Sequence, residues 1–194
     1  MIIYLHGFRS SATSIKAEQL RQYLRERQPA HPFWCEDLPI SPRKAIDTVS
    51  KVIEASPTPP LIVGSSLGGY YATFLSEKFD LKAVLINPAC HAAELLEPWV
   101  GPHRNLYTGE MFDLTQEHIH ELRTLKVAPL DLPERFWVLL ETGDEVLDYR
   151  TAVETYQGAR ITIKEGGNHG LESFPEFIPE IVNLAKPGPG SSST

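Results

Sequence analysis

Short apolar runs of strand length, separated by longer segments of helical periodicity, constrain the fold of this chain more than any other feature. The strand-like runs lie at residues 2–5, 33–37, 61–64, 82–87, 136–141 and 160–164. The helical stripes lie at residues 14–27, 67–79, 115–125 and 175–185, with another that begins at Pro42. Apolar strands that alternate with helices form parallel sheets covered on both faces. The sequence therefore predicts a doubly wound α/β fold, in which ligands bind beyond the carboxyl ends of the strands.

Composition and charge narrow the class further. The chain has 194 residues, of which 42% are hydrophobic, and a domain of this size buries about 70% of the surface of its unfolded chain. No apolar run approaches the roughly 20 residues of a membrane helix, and the first run lacks the basic leader of a signal peptide. We therefore expect a cytoplasmic protein that does not enter the membrane.

Neither a metal nor a nucleic acid is an expected partner. Cys35 and Cys90 have no CxxC or metal-type spacing and are predicted to be buried thiols. The net charge is −7, and no basic cluster is denser than residues 21–27, which Glu26 interrupts. A nucleic-acid-binding surface would be basic. The sequence gives no indication of the oligomeric state.

One long segment interrupts the alternation of strands and helices. Residues 88–133 contain several prolines, the aromatic residues Trp99 and Tyr107 and only one clear helical stripe. Insertions at this edge of a sheet form lids or pocket walls, with a surface excursion as the alternative. After the domain at residues 1–186, the Pro/Gly/Ser-rich stretch at 187–194 is predicted to be a flexible tail.

A Gly-x-Ser-x-Gly motif follows the third apolar run directly, with Gly64 and Gly68 on either side of Ser66. A serine at a sharp turn from a strand into a helix takes a positive φ and projects its Oγ outwards, provided that its neighbours two residues away are small. The motif predicts Ser66 as a nucleophile. The alternative is a glycine-rich turn with a solvated serine.

A serine nucleophile needs an imidazole base and a carboxylate that orients it. His169 lies in a glycine-rich loop between the last strand and the last helix, whereas other histidines lie in helices, connections or the insertion. Asp144 follows the strand at 136–141, and Asp148 is the alternative acid, although it is also placed to cap the next helix. The resulting order of serine, aspartate and histidine is that of the α/β-hydrolases.

Acyl transfer also needs donors for the oxyanion. The amide of Leu67 lies at a helix start, where N–H groups have no partner, and the amide of Phe8 lies in the loop after the first strand, where a hydrolase places its second donor. In the same loop, His6 is expected to hold the backbone by hydrogen bonds.

These motifs together resemble those of the YqiA-like bacterial esterases, a small α/β-hydrolase subgroup, over residues 1–186. The resemblance implies cleavage of acyl esters or acyl thioesters without a cofactor, by the serine, aspartate and histidine named above. It also implies about six parallel strands, because Met1 begins at the strand that is normally third. The matching segments are Leu5-His6-Gly7-Phe8, Gly64 to Tyr71, Asn87-Pro88, Tyr107-Thr108-Gly109, Thr142 to Tyr149 and Glu165 to His169.

The sequence leaves the substrate open. Arg9 is either a solvated side chain or an attractor of an acidic substrate. Trp99, Tyr107, Met111 and Phe112 either line an acyl pocket or pack the insertion onto the domain. The same catalytic groups also support a peptidase, an amidase or a carbon–carbon bond hydrolase, and a binding protein on an inactive hydrolase fold is a further alternative.

Overall fold

The fold is built on a central sheet of six parallel strands, seen in a computed structural model that describes residues 1–127 and 129–186. The predicted tail at 187–194 lies outside the described residues. The strands in chain order are β1 (Ile2–Leu5), β2 (Phe33–Trp34), β3 (Leu61–Ser65), β4 (Ala83–Ile86), β5 (Gly101–Arg104), β6 (Met111–Leu114), β7 (Phe136–Glu141) and β8 (Arg160–Lys164). The helices are α1 (Ile15–Arg27), α2 (Pro42–Glu54), α3 (Leu67–Phe79), α4 (Ala92–Leu96), α5 (Gln116–Thr124), α6 (Tyr149–Thr155) and α7 (Phe174–Leu184).

The strand order of the sheet is β2-β1-β3-β4-β7-β8, which confirms the predicted doubly wound α/β class. The chain runs from β1 to its neighbour β2 and then returns to pair β3 with the other side of β1, with Leu5 opposite Gly64. The strand order therefore reverses between β1 and β3. Loops diverge at such a switch point and leave a crevice for ligands.

The two faces of the sheet bury different sets of helices. Along β1, Ile3 and Leu5 point into the core under α2, α3 and α5, whereas Ile2 and Tyr4 point into the core under α1 and α7. This division follows from the period of two along a strand. Because both faces are covered, the inner strands contain almost only apolar residues, which is the pattern from which they were predicted.

Local signals place the helix starts correctly. Ser41 caps α2 by accepting a hydrogen bond from the amide of Lys44, and Pro42 occupies the first turn, as predicted. Thr115 caps α5 and forms a reciprocal capping box with His118. The helix predicted at residues 115–125 is thus confirmed as Gln116–Thr124. None of the helices in the described part of the chain is long and apolar enough to cross a bilayer.

Two sequence expectations need correction. The strand predicted at 33–37 is limited to Phe33–Trp34 at the sheet edge, because only these two residues pair with β1, opposite Ile2 and Ile3. The cysteines are only partly buried, although burial still raises the pKa of the Cys35 thiol to about 12 and that of the Cys90 thiol to about 11.

The insertion contains more than the single helix predicted. It begins with α4, continues through the antiparallel hairpin of β5 and β6, and ends with α5. The hairpin lacks a continuous apolar face, and its burial alternates weakly along β5, so its residues carry no clear strand signal. Pro102 is tolerated in β5 because a two-stranded ribbon has free edges.

Candidate active site

Ser66 occupies the turn between β3 and α3 at the switch point of the sheet. Its backbone has φ 55° and ψ −119°, a conformation that non-glycine residues rarely adopt. The turn is held on both sides. The Ser66 amide donates to the Ile86 carbonyl at 3.0 Å, and the Ser66 carbonyl accepts from Gly69 at 2.9 Å and from Ala89 at 3.1 Å. Such over-determined strain is typical of functional positions.

The glycines of the motif permit a close approach of backbone to backbone. A Cβ on Gly64 would lie 2.3 Å from the carbonyl oxygen of Gly68, and a Cβ on Gly68 would lie 2.0 Å from the carbonyl oxygen of Leu5. No side chain fits at those distances. The start of α3 can therefore sit directly against β1 and β3, and this close packing places Ser66 above the strand ends.

The structure brings Ser66, His169 and Asp144 into one continuous chain of hydrogen bonds. The Nε2 of His169 lies 3.0 Å from the Oγ of Ser66, and its Nδ1 lies 2.8 Å from the Oδ2 of Asp144. Because a carboxylate only accepts, Nδ1 carries the proton, and Nε2 is then the acceptor for the serine hydroxyl. The imidazole is thus held in the tautomer that a general base requires.

Asp144 is held as a carboxylate at this position. Its side chain is only 2% exposed, and its second oxygen accepts from the amides of Val146 and Leu147, both at 2.8 Å. Burial acts to raise the pKa of Asp144, but the hydrogen bonds from His169, Leu147 and Val146 outweigh it and lower that pKa below its usual range. A charge is therefore maintained beside the imidazole.

Asp148, the alternative acid of the sequence analysis, occupies a different position. Its carboxylate accepts from the amide of Arg150 at 3.0 Å and so caps α6. It is also paired with the Arg150 guanidinium in an exposed setting. The structure thus brings Asp144, and not Asp148, to the histidine.

A buried carboxylate that the sequence reasoning missed organises the loop carrying His169. Glu141, the last residue of β7, is only 2% exposed. Its Oε2 accepts from the amides of Asn168 and Glu172 at 2.9 and 3.0 Å, and its Oε1 accepts from the amide and hydroxyl of Ser173 at 2.8 and 2.7 Å. Burial acts to raise the pKa of Glu141, but these hydrogen bonds prevail and lower it.

Asn87, at the end of β4, holds the same loop from the other side. It is 2% exposed and has a positive φ of 40°. Its amide nitrogen donates to the carbonyls of Asn168 and His169, both at 3.2 Å, while its oxygen accepts from the amide of Glu141 at 3.2 Å. Lys16 adds a hydrogen bond to the carbonyl of Gly170 at 2.8 Å. The histidine loop is therefore fixed by three separate elements.

The two amides predicted as oxyanion donors are available in this structure. Within residues 1–127 and 129–186, neither the Phe8 nor the Leu67 amide donates a hydrogen bond. Gly7 allows the loop after β1 to approach the nucleophile closely, since a Cβ at Gly7 would lie 3.1 Å from the Cβ of Ser66. His6 accepts from the Leu38 amide at 3.0 Å through Nε2, so its Nδ1 carries the proton that binds the Gly7 carbonyl. These contacts agree with the expected holding role of His6.

The hairpin of the insertion is tied to this loop. The carbonyl of Arg9, a residue with φ 57°, accepts from the amide of Leu106 at 2.8 Å, and the carbonyl of Ser10 accepts from the side chain of Asn105 at 2.8 Å. The Nε of Arg9 donates to the carbonyl of Arg104 at 3.0 Å. The guanidinium that the sequence left open as a substrate attractor is thus engaged with the hairpin backbone.

Two cavities meet at Gly7 and Ser10, next to the nucleophile. The apolar cavity, of about 200 Å³, lies on the side of the proposed oxyanion donors and is lined by Phe8, Leu38, Leu67, Tyr71, Met111 and Phe112, among others. The second cavity, called the polar cavity for the side chains of Lys16, Gln19, Asn168 and Glu172 on its wall, has a volume of about 420 Å³, lies under the histidine loop and is also lined by Tyr107 and by the apolar side chains of Ile15 and Leu171.

The predicted substrate-binding residues are divided between these cavities. Arg9, Met111 and Phe112 line the apolar cavity, and Tyr107 lines the polar cavity. Trp99 lines neither of them. It is 52% exposed, and its ring lies against that of His103 with 6.0 Å between the centroids.

Comparison with known proteins reveals relatives along nearly the full chain. A family model described as "Uncharacterised protein family (UPF0227)" matches residues 1–186. A UPF0227 protein of Vibrio parahaemolyticus is 33% identical over 187 residues, which cover 92% of this chain and 95% of the relative. A UPF0227 protein of Shewanella sp. strain ANA-3 is 29% identical over 191 residues, covering 93% and 97% of the two chains.

Solved structures confirm the predicted α/β-hydrolase fold. Alpha/beta hydrolase domain-containing protein 10 from mouse matches with a TM-score of 0.71 and 19% identity, covering 94% of this chain and 88% of its own. The monoacylglycerol lipase of Paleococcus ferrophilus matches with a TM-score of 0.69 and 14% identity, covering 94% of this chain and 93% of its own. Est1E of Butyrivibrio proteoclasticus, bound to ferulic acid, matches with a TM-score of 0.68 and 15% identity, covering 95% of this chain and 88% of its own. At these identities the likeness establishes the fold alone.

Proposed function

The chain belongs to the uncharacterised protein family UPF0227, and from the geometry of its site we propose that it is a serine hydrolase of carboxylic esters. Family membership confirms the resemblance predicted from the motifs. The observation that carries the proposal is the hydrogen-bonded series from Ser66 through His169 to Asp144. Two proteins of similar fold, a monoacylglycerol lipase and an esterase domain from Rhodothermus marinus, add support for ester substrates.

The proposed reaction begins when the Oγ of Ser66 attacks the ester carbonyl carbon. His169 takes the serine proton on Nε2, and the carboxylate of Asp144 stabilises the resulting imidazolium. The carbonyl oxygen becomes an oxyanion, which the free amides of Phe8 and Leu67 receive. Donors of this kind each account for about 10²- to 10³-fold in turnover.

The tetrahedral intermediate then collapses to an acyl-enzyme. His169 gives its proton to the oxygen of the departing alcohol, and the acyl group remains on Ser66. Water next attacks the acyl carbon with His169 again as base, so that the carboxylic acid leaves and the serine regains its proton. Acyl thioesters satisfy the same scheme, with a thiol in place of the alcohol.

The apolar cavity is the proposed site for the acyl group. It is next to both oxyanion donors, because Phe8 and Leu67 are among its lining residues. Its volume of about 200 Å³ is below the roughly 300 to 1,000 Å³ of common small-molecule sites. We therefore expect kcat/KM for p-nitrophenyl esters to peak among short acyl chains, from acetyl to hexanoyl.

Covalent labelling tests the proposal. A fluorophosphonate probe should label the intact protein once, at Ser66, and Ser66→Ala should abolish both labelling and ester hydrolysis. The matched control is Ser65→Ala, which removes the neighbouring hydroxyl and should retain labelling. An unlabelled wild type, or equal labelling of the wild type and Ser66→Ala, would contradict serine catalysis. Matched esters, thioesters and amides of one acyl group then identify the bond that is cleaved.

A further inference from the structure

The polar cavity adjoins the loop that carries His169, the group that would protonate a leaving alcohol; the inference drawn from it rests on the proposed function. In ester cleavage, the departing oxygen must reach the Nε2 of His169 to be protonated. The residues on either side of that histidine, Asn168 and Gly170, both line the polar cavity. Gly7, whose hypothetical Cβ would lie 3.6 Å from the Oγ of Ser66, lines both cavities and so brings each of them close to the nucleophile. This placement lets the alcohol portion of an ester extend into the polar cavity when the acyl portion occupies the apolar one.

The lining of the polar cavity carries donors and acceptors that the protein itself does not use. Within residues 1–127 and 129–186, the side chains of Gln19 and Tyr107 make no hydrogen bond. Lys16 uses one N–H on the Gly170 carbonyl and retains two more. These groups can each bind a hydroxyl, and an apolar occupant would leave them unsatisfied.

The charges of the polar cavity favour a neutral occupant. Lys16 is its only lining cation among the described residues, and the carboxylate of Glu172 lies on the same wall. Burial lowers the pKa of Lys16 to about 8, and this outweighs the raising effects of the carboxylates of Glu141 and Asp144. The surroundings of Lys16 therefore disfavour its charged form, and the nearby carboxylates weaken the attraction of its ammonium for an anion. Tyr107 adds an exposed aromatic ring, a surface on which the C–H face of a sugar ring can rest.

We propose that the polar cavity is a leaving-group subsite for a neutral, hydroxyl-rich alcohol, and that the protein cleaves short-chain acyl esters of polyols such as glycerol or a monosaccharide. The volume of about 420 Å³ lies within the range of small-molecule sites, roughly 300 to 1,000 Å³. The apolar cavity limits the acyl side, and the polar cavity selects the alcohol.

The test is a series of esters with one acyl group and different alcohols. The substrates are glycerol monobutyrate, glucose 6-butyrate, n-butyl butyrate and butyryl-CoA, and the measurement is kcat/KM for each. We expect both polyol esters to exceed n-butyl butyrate by about tenfold or more, because a site built for hydroxyls discriminates strongly against an analogue that lacks them. Butyryl-CoA, whose leaving group is large and anionic, should fall below the polyol esters.

A matched pair of glutamines on α1 identifies the cavity responsible. Gln19→Leu should lower the ratio of kcat/KM for glucose 6-butyrate over n-butyl butyrate by about fivefold to tenfold, the value of one hydrogen bond. Gln22→Leu, on the exposed side of the same helix where Gln22 bonds Glu26, should leave that ratio unchanged.

Three results would overturn the inference, and they are distinguishable from failure of the proposed function. These are a wild-type ratio near one, a preference for butyryl-CoA, and equal ratios in Gln19→Leu and wild type. Each of them requires that an ester or a thioester is hydrolysed. If no ester is cleaved and the fluorophosphonate does not react, serine catalysis itself is refuted.

Discussion

Glu141→Gln is the substitution that most directly tests how the histidine loop is built. The carboxylate accepts four hydrogen bonds, two on each oxygen, from Asn168, Glu172 and Ser173. A glutamine keeps one acceptor oxygen and turns the other position into an NH₂ group. Two backbone or hydroxyl donors then face a donor, so the variant loses two bonds and gains a repulsive contact in a buried site.

The cost follows from the number and kind of these bonds. Hydrogen bonds to a charged group contribute about 1.5 to 3 kcal/mol each, so that losing two would cost about 3 to 6 kcal/mol. The neutral amide is easier to bury than the carboxylate, which offsets part of this loss. We therefore expect the free energy of unfolding to fall by about 3 kcal/mol, near the upper end of ordinary point substitutions.

Activity should fall through the position of His169 and not through substrate affinity. A misplacement of about 1 Å at a reacting group costs about 10²-fold in rate. For Glu141→Gln we expect kcat for p-nitrophenyl butyrate to fall by about that factor, with KM within about threefold of wild type. The assay combines urea unfolding followed by fluorescence with initial rates at a temperature where the variant is folded.

Two further variants make the outcome interpretable. Ser173→Ala removes one of the four donors. It should also lower kcat with little change in KM, and it should lower the free energy of unfolding by about one third as much as Glu141→Gln. This variant remains informative even if Glu141→Gln fails to fold. Glu154→Gln, on the exposed surface of α6, should change neither the free energy of unfolding nor kcat. If Glu141→Gln loses less than about 1 kcal/mol and keeps full kcat, the four bonds do not position the loop and the reasoning fails.

Three other predictions follow from the site. Asp144→Asn should lower kcat by about 10⁴-fold, the scale of a lost orienting carboxylate. Asp148→Asn should keep kcat and lower the free energy of unfolding by only roughly 1 kcal/mol, the value of a helix cap. The opposite pattern in ester hydrolysis would make Asp148 the acid. Gly68→Ala should destabilise the fold by about 3 kcal/mol or more, because its Cβ would meet the Leu5 carbonyl at 2.0 Å, and urea unfolding with an unchanged midpoint would refute this. Burial lowers the pKa of His6 below its ordinary 6.5, against the raising effects of Gly7 and Asp37. The unfolded chain therefore binds more protons than the folded one, and the free energy of unfolding falls as the pH drops below about 6.5. The decrease in the free energy of unfolding between pH 7.5 and 5.0 should be smaller in His6→Gln than in the wild type.

The predictable part of the site is the part that local sequence specifies. Ser66 follows from a motif in which each glycine is required by a contact within a few residues or with the neighbouring strand. His169 and Asp144 follow from their positions after strands, because parallel strands deliver their carboxyl ends to one edge. The helix starts at Ser41 and Thr115 were recognisable for the same reason, since a cap acts within one turn.

The parts that escaped prediction depend on contacts between distant segments. Glu141 looks like the polar end of an apolar strand, and only the folded loop 27 to 32 residues later reveals it as an acceptor of four bonds. Asn87 and the hairpin of β5 and β6 raise the same difficulty. A signal did exist for Glu141. A carboxylate at the end of a strand of otherwise buried residues must either accept hydrogen bonds or become protonated.

The contacts of the hairpin indicate that this part of the insertion acts as a pocket wall and not as a free lid. Three hydrogen bonds join it to the loop after β1, through Arg9, Ser10 and Asn105. The ring of Phe8 also lies edge-on to those of His103 and Phe112, at 5.2 and 5.7 Å between centroids. Lifting the hairpin would break these contacts and move the Phe8 amide, so opening the site in this way would remove a proposed oxyanion donor. Substrate exchange through the two proposed subsites, with the hairpin in place, avoids that cost.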